Sequence, residues 1–489
     1  MLPILNLLDI CCKHGDRDAL VFGGKTISYV QLHDAVLEAA NGLSRHAAKG
    51  DRVALLCENT AGFIITSLAI ELVGAVRVPV NIKSTPVEIE KILADCEPVL
   101  CVTEASTRHL LGAEAGYRQM DAQALPAAGG ARPAVPLEPG DFCSITYTSG
   151  STGNPKGVVL SHANWHCVYI NMLLERDIRE NDTLAFIGPL THAGWSYLYA
   201  ALMVGARSVI FKAGDTDSMV AYAAGHPVTI VTCVPTTLSR IVAVTAPDHP
   251  LVASLKWIGI GGAPTSAALL EKARALLGDR IVFNYGQTEA MMTCTYMDFR
   301  KEGDLPPEAE YIGRPYLFTS VKIVDKDGKS LPVGEIGEIL VKGPHAMVGY
   351  WRQPELTEEV FDDGFIRTGD LGIESAPGLF KLIGRIKEMI ISGGFNIYPS
   401  EVEAVVSVFP GIDEVAVIGA KSEEWGEKVV CFYSAEGDAA IDEAELRTHS
   451  KTRLGIKTPK DFIQLGAMPK SGTGKIDKKA LRTLQEAGQ

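Results

Sequence analysis

The chain has 489 residues, of which 46% are hydrophobic and 21% charged. At about 150 residues per domain this suggests two to four domains or subdomains, and the composition excludes global disorder. The net charge of −13 argues against nucleic acid or an anionic membrane surface as the main partner, while leaving room for a local basic phosphate site.

The N-terminal stretch has no basic lead, and Asn6 and Asp9 interrupt its apolar run, so it does not read as a signal peptide. The ten cysteines form no CxxC pair, and Cys11 and Cys12 are adjacent. That pattern reads as reduced and cytoplasmic. A β-type run at Arg52–Cys57 is followed by a helix over Thr60–Val73 that stops at Gly74, and then by β-type Val76–Val80. The apolar stretch Ala61–Val80 is broken by Glu71 and Arg77, so no bilayer span is expected. Ala124–Pro139, rich in Ala, Pro and Gly, reads as a loop joining two α/β subdomains.

The β-α-β order recurs twice. It runs over Thr183–Ile187, Trp195–Val204 and Ser208–Phe211, then over Lys256–Ile260, Thr265–Leu277 and Ile281–Asn284. Such repetition predicts parallel-rich sheets with helices on their faces. From Ile312 the pattern becomes β-rich. Asp325-Lys326-Asp327-Gly328 fails calcium-loop spacing and reads as a hairpin turn before a strand at Val333–Val341. The last hundred residues read as a small α+β unit. A helix starts at Pro399 and fades at Gly411, strands follow at Val415–Ile418 and Val429–Tyr433, and Asp442 and Glu445 form an N-cap pair for a helix ending at Gly455.

The segment Tyr147-Thr148-Ser149-Gly150-Ser151-Thr152-Gly153-Asn154-Pro155-Lys156-Gly157 follows the strand Cys143–Tyr147 directly. Its glycines let the backbone approach an anion, and its hydroxyls and lysine add donors. A flexible Ser/Gly linker would rarely contain Pro-Lys-Gly or follow a β run. The loop lacks the Gly-Lys-Ser/Thr of a P-loop ATPase. Gly259-Ile260-Gly261-Gly262 likewise fails the dinucleotide fingerprint, because Pro264 occupies its third position. His162 and His166 have zinc-pair spacing, but no Glu lies between them and no third ligand is evident, so His162 is read as the start of a helix.

This loop resembles the signature of AMP-forming adenylating enzymes: acyl-CoA synthetases, peptide-synthetase adenylation domains and beetle luciferases. Further motifs stand in family order: Asn284-Tyr285-Gly286-Gln287-Thr288-Glu289, Arg367-Thr368-Gly369-Asp370, Gly384-Arg385-Ile386-Lys387 and Pro469–Lys475. The resemblance covers essentially the whole chain. It implies an α/β fold with a large N-terminal domain, 1–386, of parallel-rich sheets sandwiched by helices plus a β-rich subdomain. A small mobile α+β domain, 387–489, would rotate about a hinge at Lys387.

The resemblance also implies the activity. A carboxylate–CoA ligase activates an organic acid with ATP to an acyl-adenylate and pyrophosphate, then passes the acyl group to the CoA thiol and releases AMP. Thr148, Ser149, Gly150, Ser151, Thr152, Gly153 and Lys156 would hold the β- and γ-phosphates, and Thr288 the α-phosphate. Glu289 would help hold Mg²⁺. Tyr285 would stack on adenine, with Asn284, Gly286, Gly262 and Ala263 around the base. Asp370 would accept from the ribose hydroxyls, with Arg385 close to the same ribose. Lys475 would reach the α-phosphate and the substrate carboxylate, with His192 a further catalytic candidate. Gly393 and Gly394 would line the CoA tunnel after rotation. Phe395 stands where many relatives have glutamate, so that side chain carries no transferred role.

The segment His192-Ala193-Gly194-Trp195 lacks the aspartate of amino-acid-activating relatives, which argues against an α-amino acid. The acyl pocket is expected at His192, Trp195, Gly259, Gly261, Met291 and Met292, with no lysine or arginine among them. Met pairs suit irregular aromatic or aliphatic shapes, and Thr288–Met291 with Glu424-Trp425-Gly426 resembles chlorobenzoate-type aryl-CoA ligases. An aromatic or compact cyclic monocarboxylate is expected. The alternatives are a medium-chain fatty acid, or an acyl-AMP ligase that loads a carrier protein. A non-catalytic nucleotide sensor is disfavoured by the presence of both Glu289 and Lys475. Acetylation would remove the charge of Lys475, which makes a lysine acetyltransferase a candidate partner. A homodimer is left open.

Overall fold

The computed structural model describes residues 2–112, 116–125, 133–148, 154–302, 310–437, 439–470 and 475–487. Among them three sheets are built. In the first, strands run in the order 349–350, 156–161, 142–148, 76–79, 52–56, 100–103 and 119–121. The pairs from 142–148 through to 119–121 are parallel. Phe142–Thr148 and Lys156–Ser161 instead form an antiparallel hairpin with Thr148 opposite Lys156. The segment expected to hold phosphate therefore joins two antiparallel strands. A strand stands between it and the helix His162–Glu175, where the sequence reading had the helix follow the loop.

The second sheet carries the other two β-α-β units. Strands 18–22, 207–210, 183–186, 230–233, 257–261 and 281–285 are parallel neighbours in that order. The intervening helices are Ala193–Met203 and Ala267–Leu277. Antiparallel pairing takes over beyond Ile281–Tyr285. The β-rich part is not a separate sheet, because Thr295 and Tyr296 pair with Pro315 and Arg314 and so continue the same ladder. Asp325 Oδ1 accepts from the Asp327 and Lys329 amides, the expected turn. The following strand begins at Ile336 rather than Val333, because Gly334, at φ +96°, makes a second turn first.

Helices Ala61–Leu72 and Ala193–Met203 bury most of their surface. A helix apolar nearly all round belongs in a core. One apolar cluster joins Val53 and Leu55 of the first sheet to Leu184 and Phe186 of the second through Phe63, Leu68 and Leu198 of these helices. The two sheets thus face each other across buried helices, and their loops can converge at a common edge.

The third sheet is built wholly from residues after Met389: strands 390–392, 395–397, 412–422, 426–435 and 461–464. It has its own apolar clusters. The first helix of this unit stops at Ser407, short of Gly411. Asp442 caps Glu443–Leu454 alone, its Oδ1 accepting from both Ala444 and Glu445 amides. No helix among the described residues is long and apolar enough to cross a membrane.

The helix after the phosphate hairpin has a full capping box. Ser161 Oγ accepts from the Asn164 amide, and Asn164 Oδ1 accepts from the Ser161 amide at 2.8 Å. Ser161→Ala should lower stability by ~1 kcal/mol, the usual value of such a cap, and Ser161→Thr should restore most of it. Urea denaturation midpoints of the three proteins would show this.

Candidate active site

The site is organised around Asp370. This carboxylate is 3% exposed and takes three donors from two segments of sequence. Tyr285 Oη donates to Oδ2 at 2.8 Å, Gln287 Nε2 to the same oxygen at 2.7 Å, and Arg385 Nε approaches Oδ1 at 3.0 Å. The pairing follows from register. Asp370 on the strand Phe365–Ala376 stands directly opposite Arg385 on Leu379–Arg385. Hairpin pairing therefore brings two motifs together that are fifteen residues apart in sequence. Below Asp370, Thr368 Oγ1 donates to the Ile339 carbonyl and accepts from the Asp370 amide. Asp370 raises the pKa of the Arg385 guanidinium. A carboxylate offers about four acceptor positions, so three protein donors leave roughly one for a ligand hydroxyl, and more if the half-exposed Arg385 moves.

Tyr285 is the last residue of the strand Ile281–Tyr285, and Gly286 turns the chain out of it. A Cβ on Gly286 would lie 2.7 Å from the Met292 backbone, which no side chain tolerates. Met292 itself sits at φ +57°. This tight loop holds Thr288 and Glu289, both half-buried, at the mouth of the site. Glu289 is anchored at both ends. Its carbonyl accepts from the Met347 amide, and its Oε1 accepts from Tyr350 Oη at 2.8 Å. Lys156 Nζ lies 5.4 Å from the centroid of the same Tyr350 ring, a cation–π distance. The phosphate-hairpin lysine and the acidic motif thus share one aromatic side chain that the sequence reading did not single out. Thr148 pairs with Lys156 in the ladder. Ser149, Gly150, Ser151, Thr152 and Gly153 lie outside the described residues.

Lys475 reaches this centre from the third sheet's unit. Its Cε is 3.9 Å from the position a Cβ would take on Gly262. Burial by surrounding atoms, then Arg385, lowers its pKa, while Asp370 acts the other way. The Gly262 turn and Lys475, far apart in sequence, are thus neighbours. His192, half-buried at the N-terminus of Ala193–Met203, has its Nδ1 2.8 Å from Thr191 Oγ1. Its pKa is pushed down to about 4, first by burial and then by the Lys475 charge. At neutral pH it is an uncharged imidazole.

Other expected residues lie differently. Trp195 is 1% exposed. It packs edge-on against Phe63 and Tyr199, with the Arg77 guanidinium 4.2 Å from its ring centroid. It is a core residue, not an open pocket wall. Helical phase explains this: His192 and Trp195 are one turn apart, but the cap residue has left the helix and faces elsewhere. Met291 is buried in the same core and Met292 packs on it. A Cβ at Gly261 would stand 3.1 Å from the Asn284 carbonyl, and one at Gly259 3.1 Å from the Trp257 ring. Side chains at these two strand positions would be crowded and would need their neighbours to give way. Ala263 follows Gly262 in the turn that Lys475 touches. Gly393 and Gly394 form the two-residue tip of the hairpin 390–392/395–397, at φ +58° and +83°, and the Gly393 amide donates to the Trp425 carbonyl. Lys387 lies in the short 3₁₀ turn Ile386–Glu388 between the second and third sheets.

Comparison with known proteins agrees with this geometry. Residues 9–351 match the family described as AMP-binding enzyme, and residues 401–475 match the AMP-binding enzyme C-terminal domain. A feruloyl-CoA synthase of Amycolatopsis sp is 35% identical over 477 residues, covering 95% of both chains. A long-chain-fatty-acid–CoA ligase of Mycobacterium tuberculosis is 32% identical over 484 residues, covering 94% of this chain and 93% of that one. ATP-bound MatB of Rhodopseudomonas palustris superposes with a TM-score of 0.90 at 29% identity, covering 99% of each chain; apo MatB, with the same coverage and identity, gives 0.79. The chain belongs to the AMP-binding enzyme family of adenylate-forming enzymes. Within it, the chain is an AMP-forming acid–thiol ligase, a carboxylate–CoA ligase whose substrates include ATP and CoA.

Three histidines are held neutral, the buried His162 and His345 and the half-buried His192, each with its pKa pushed down to about 4, loss of solvation being the first cause. The unfolded chain would take up these protons near pH 6.5, whereas the folded chain does so only near 4. Stability should therefore fall as pH drops from about 6.5 to about 4, by up to ~3 kcal/mol for a wholly buried ring. His345 has neither ring nitrogen hydrogen-bonded among the described residues. His345→Gln should flatten the difference in urea midpoint between pH 7 and pH 5 relative to the parent protein.

Proposed function

We propose that this ligase activates an aromatic or compact cyclic monocarboxylate, with the residues around Asp370 and Lys475 performing both half-reactions. The observation that carries the reading is the meeting of Lys475 with the Asp370–Arg385 pair and the Gly262 turn. Attack of a carboxylate on the α-phosphorus brings two anions together, so catalysis is largely positioning and charge neutralisation. Lys475 would sit between the acid and the α-phosphate. Its depressed pKa comes mainly from lost solvation, which a bound phosphate would offset. Thr148 to Lys156 would cradle the departing pyrophosphate, and Thr288 would donate to the α-phosphate. Tyr285 would wall the adenine, with Asn284, Gly286, Gly262 and Ala263 near it. Asp370 would hold the ribose with Arg385 beside it.

Mg²⁺ fits Glu289. One carboxylate oxygen is committed to Tyr350, which leaves the other for a hard cation. No group of three or more His, Cys, Asp or Glu that could hold a metal is present among the described residues, so the remaining ligands would be phosphate oxygens and water. When bound, the ion supplies charge neutralisation on the triphosphate.

For the second half-reaction, the unit 387–489 would turn about Lys387 and carry the Gly393-Gly394 tip to the site, where it would line the pantetheine path beside His192. The neutral imidazole of His192 can accept or donate a proton near the incoming thiol. The higher likeness to ATP-bound than to apo MatB supports an adenylation-stage arrangement. The feruloyl-CoA synthase relative supports an aromatic acid, and the 32% identical fatty-acid ligase keeps a medium-chain aliphatic acid as the second reading. The all-thiol cysteines of the described residues suit a cytoplasmic setting. A lysine acetyltransferase acting on Lys475 and a second copy of the chain are the candidate protein partners.

Lys475→Ala should lower carboxylate-dependent exchange between pyrophosphate and ATP at least a hundredfold while leaving the melting temperature within a few degrees. Exchange at the parental rate would remove Lys475 from the mechanism. Omitting CoA should stop thioester formation and leave acyl-AMP. A product that forms only on a carrier protein would point to the carrier-loading alternative. Asp370→Asn should raise KM for ATP about tenfold or more, consistent with loss of a charge-assisted hydrogen bond, with a smaller change in KM for the acid.

A further inference from the structure

Arg176 follows the helix His162–Glu175 and is fully buried, with 0% exposure. In sequence it stands in a run of charges, Glu175-Arg176-Asp177. In the structure its guanidinium lies 4.5 Å from the Tyr296 ring centroid and 5.2 Å from that of Tyr316. Nη2 donates to Asn284 Oδ1 and Tyr316 Oη. Nε and Nη1 have no hydrogen-bond partner among the described residues, so three of the five N–H donors are unused. The neighbouring carboxylates are committed elsewhere. Asp298 is forked by Arg300 at 2.8 and 2.6 Å, and Glu175 Oε2 accepts from Tyr296 Oη. A fully buried cation without a paired anion is costly.

The place is what gives it meaning. Asn284, which Arg176 holds, also donates from Nδ2 to Tyr197 Oη. Tyr197 Oη lies 3.5 Å from the Cβ position of Gly259, and Gly261 packs on Asn284 itself. A chain of neighbours therefore runs from the Gly261–Gly262 turn that Lys475 approaches, past Asn284 and Tyr197, to the unused N–H edge of the guanidinium. Resting on the reading of Gly259 and Gly261 as acyl-site residues, we infer that Arg176 is the specificity-determining group at the far end of that site. It receives an oxygen acceptor that the acid carries on the side remote from its reactive carboxylate: a ring hydroxyl or alkoxy group, or a second carboxylate. Tyr197, Tyr316 and Asn284 orient the guanidinium and complete the polar end. This amends the expectation of an acyl site without lysine or arginine.

The test is a matched panel of cinnamate, 4-hydroxycinnamate and 4-carboxycinnamate, with the corresponding benzoates, followed by pyrophosphate release with the parent enzyme. At least one oxygen-bearing acid should exceed its unsubstituted partner tenfold or more in kcat/KM. The hydroxy and carboxy arms decide which oxygen source is used. Arg176→Met should reduce that preference to below threefold, and Arg176→Lys should retain part of it. If Arg176→Met does not fold, Tyr316→Phe, which removes one orienting hydroxyl, should still narrow the ratio. An unsubstituted acid preferred by the parent enzyme would overturn the inference, and so would a folded Arg176→Met protein that loses all acids equally. Failure of the ligase reading itself has a separate signature, since no acid in the panel would then release pyrophosphate.

Discussion

A single buried carboxylate ties the centre of the site together. Asp370 is shielded from water, so it needs donors, and it obtains them from the Tyr-Gly-Gln-Thr-Glu loop and from the cross-strand arginine. Charge-assisted bonds of this kind are stronger and shorter than neutral ones, and here they act between segments that belong to different parts of one long sheet. The parallel strands end at Tyr285, the antiparallel ladder begins beyond it, and Asp370 bridges the change. Polar satisfaction at one atom pair thereby fixes how two differently wound regions face each other.

The electrostatic character of the centre follows from the same burial. Surrounding atoms, and then the Arg385 charge, disfavour the charged form of Lys475 while Asp370 favours it, and His192 is kept uncharged. A cation without a full counter-ion among the described residues leaves room for an anionic one. The same logic applies on the opposite side, where Lys156 rests on an aromatic face and not on a carboxylate. Among the described residues at this centre, Arg385 is the cation paired with an acid.

Much of the architecture was legible from periodicity. The three β-α-β units, the cap at Asp442 and the turn at Asp325 fall within a few residues of their expected places, because hydrophobic spacing and turn chemistry are local signals. Connectivity across distance was not. Nothing local says that 156–161 is a strand rather than the lead into a helix, since Gly157-Val158-Val159-Leu160 is a short apolar run compatible with either. Nor could spacing reveal that the late strands extend the earlier sheet through only Thr295 and Tyr296. The motif residues were legible because each carries a distinctive residue type in a distinctive context. Trp195, Tyr350 and Arg176 were misjudged or passed over for the opposite reason. A tryptophan near a motif, a tyrosine after a glycine and an arginine at a helix end are common, and only packing shows which way each side chain turns.

Tyr350 has a consequence beyond its two contacts. Its ring supports the ammonium of Lys156 and its hydroxyl engages Glu289, while its backbone is laced to Val158 beside the phosphate hairpin. Spacing between the basic and acidic arms is therefore set by the width of one phenol. Neither arm can drift alone during evolution, and a chain that replaced this tyrosine with a smaller residue would have to re-span the gap from both sides together.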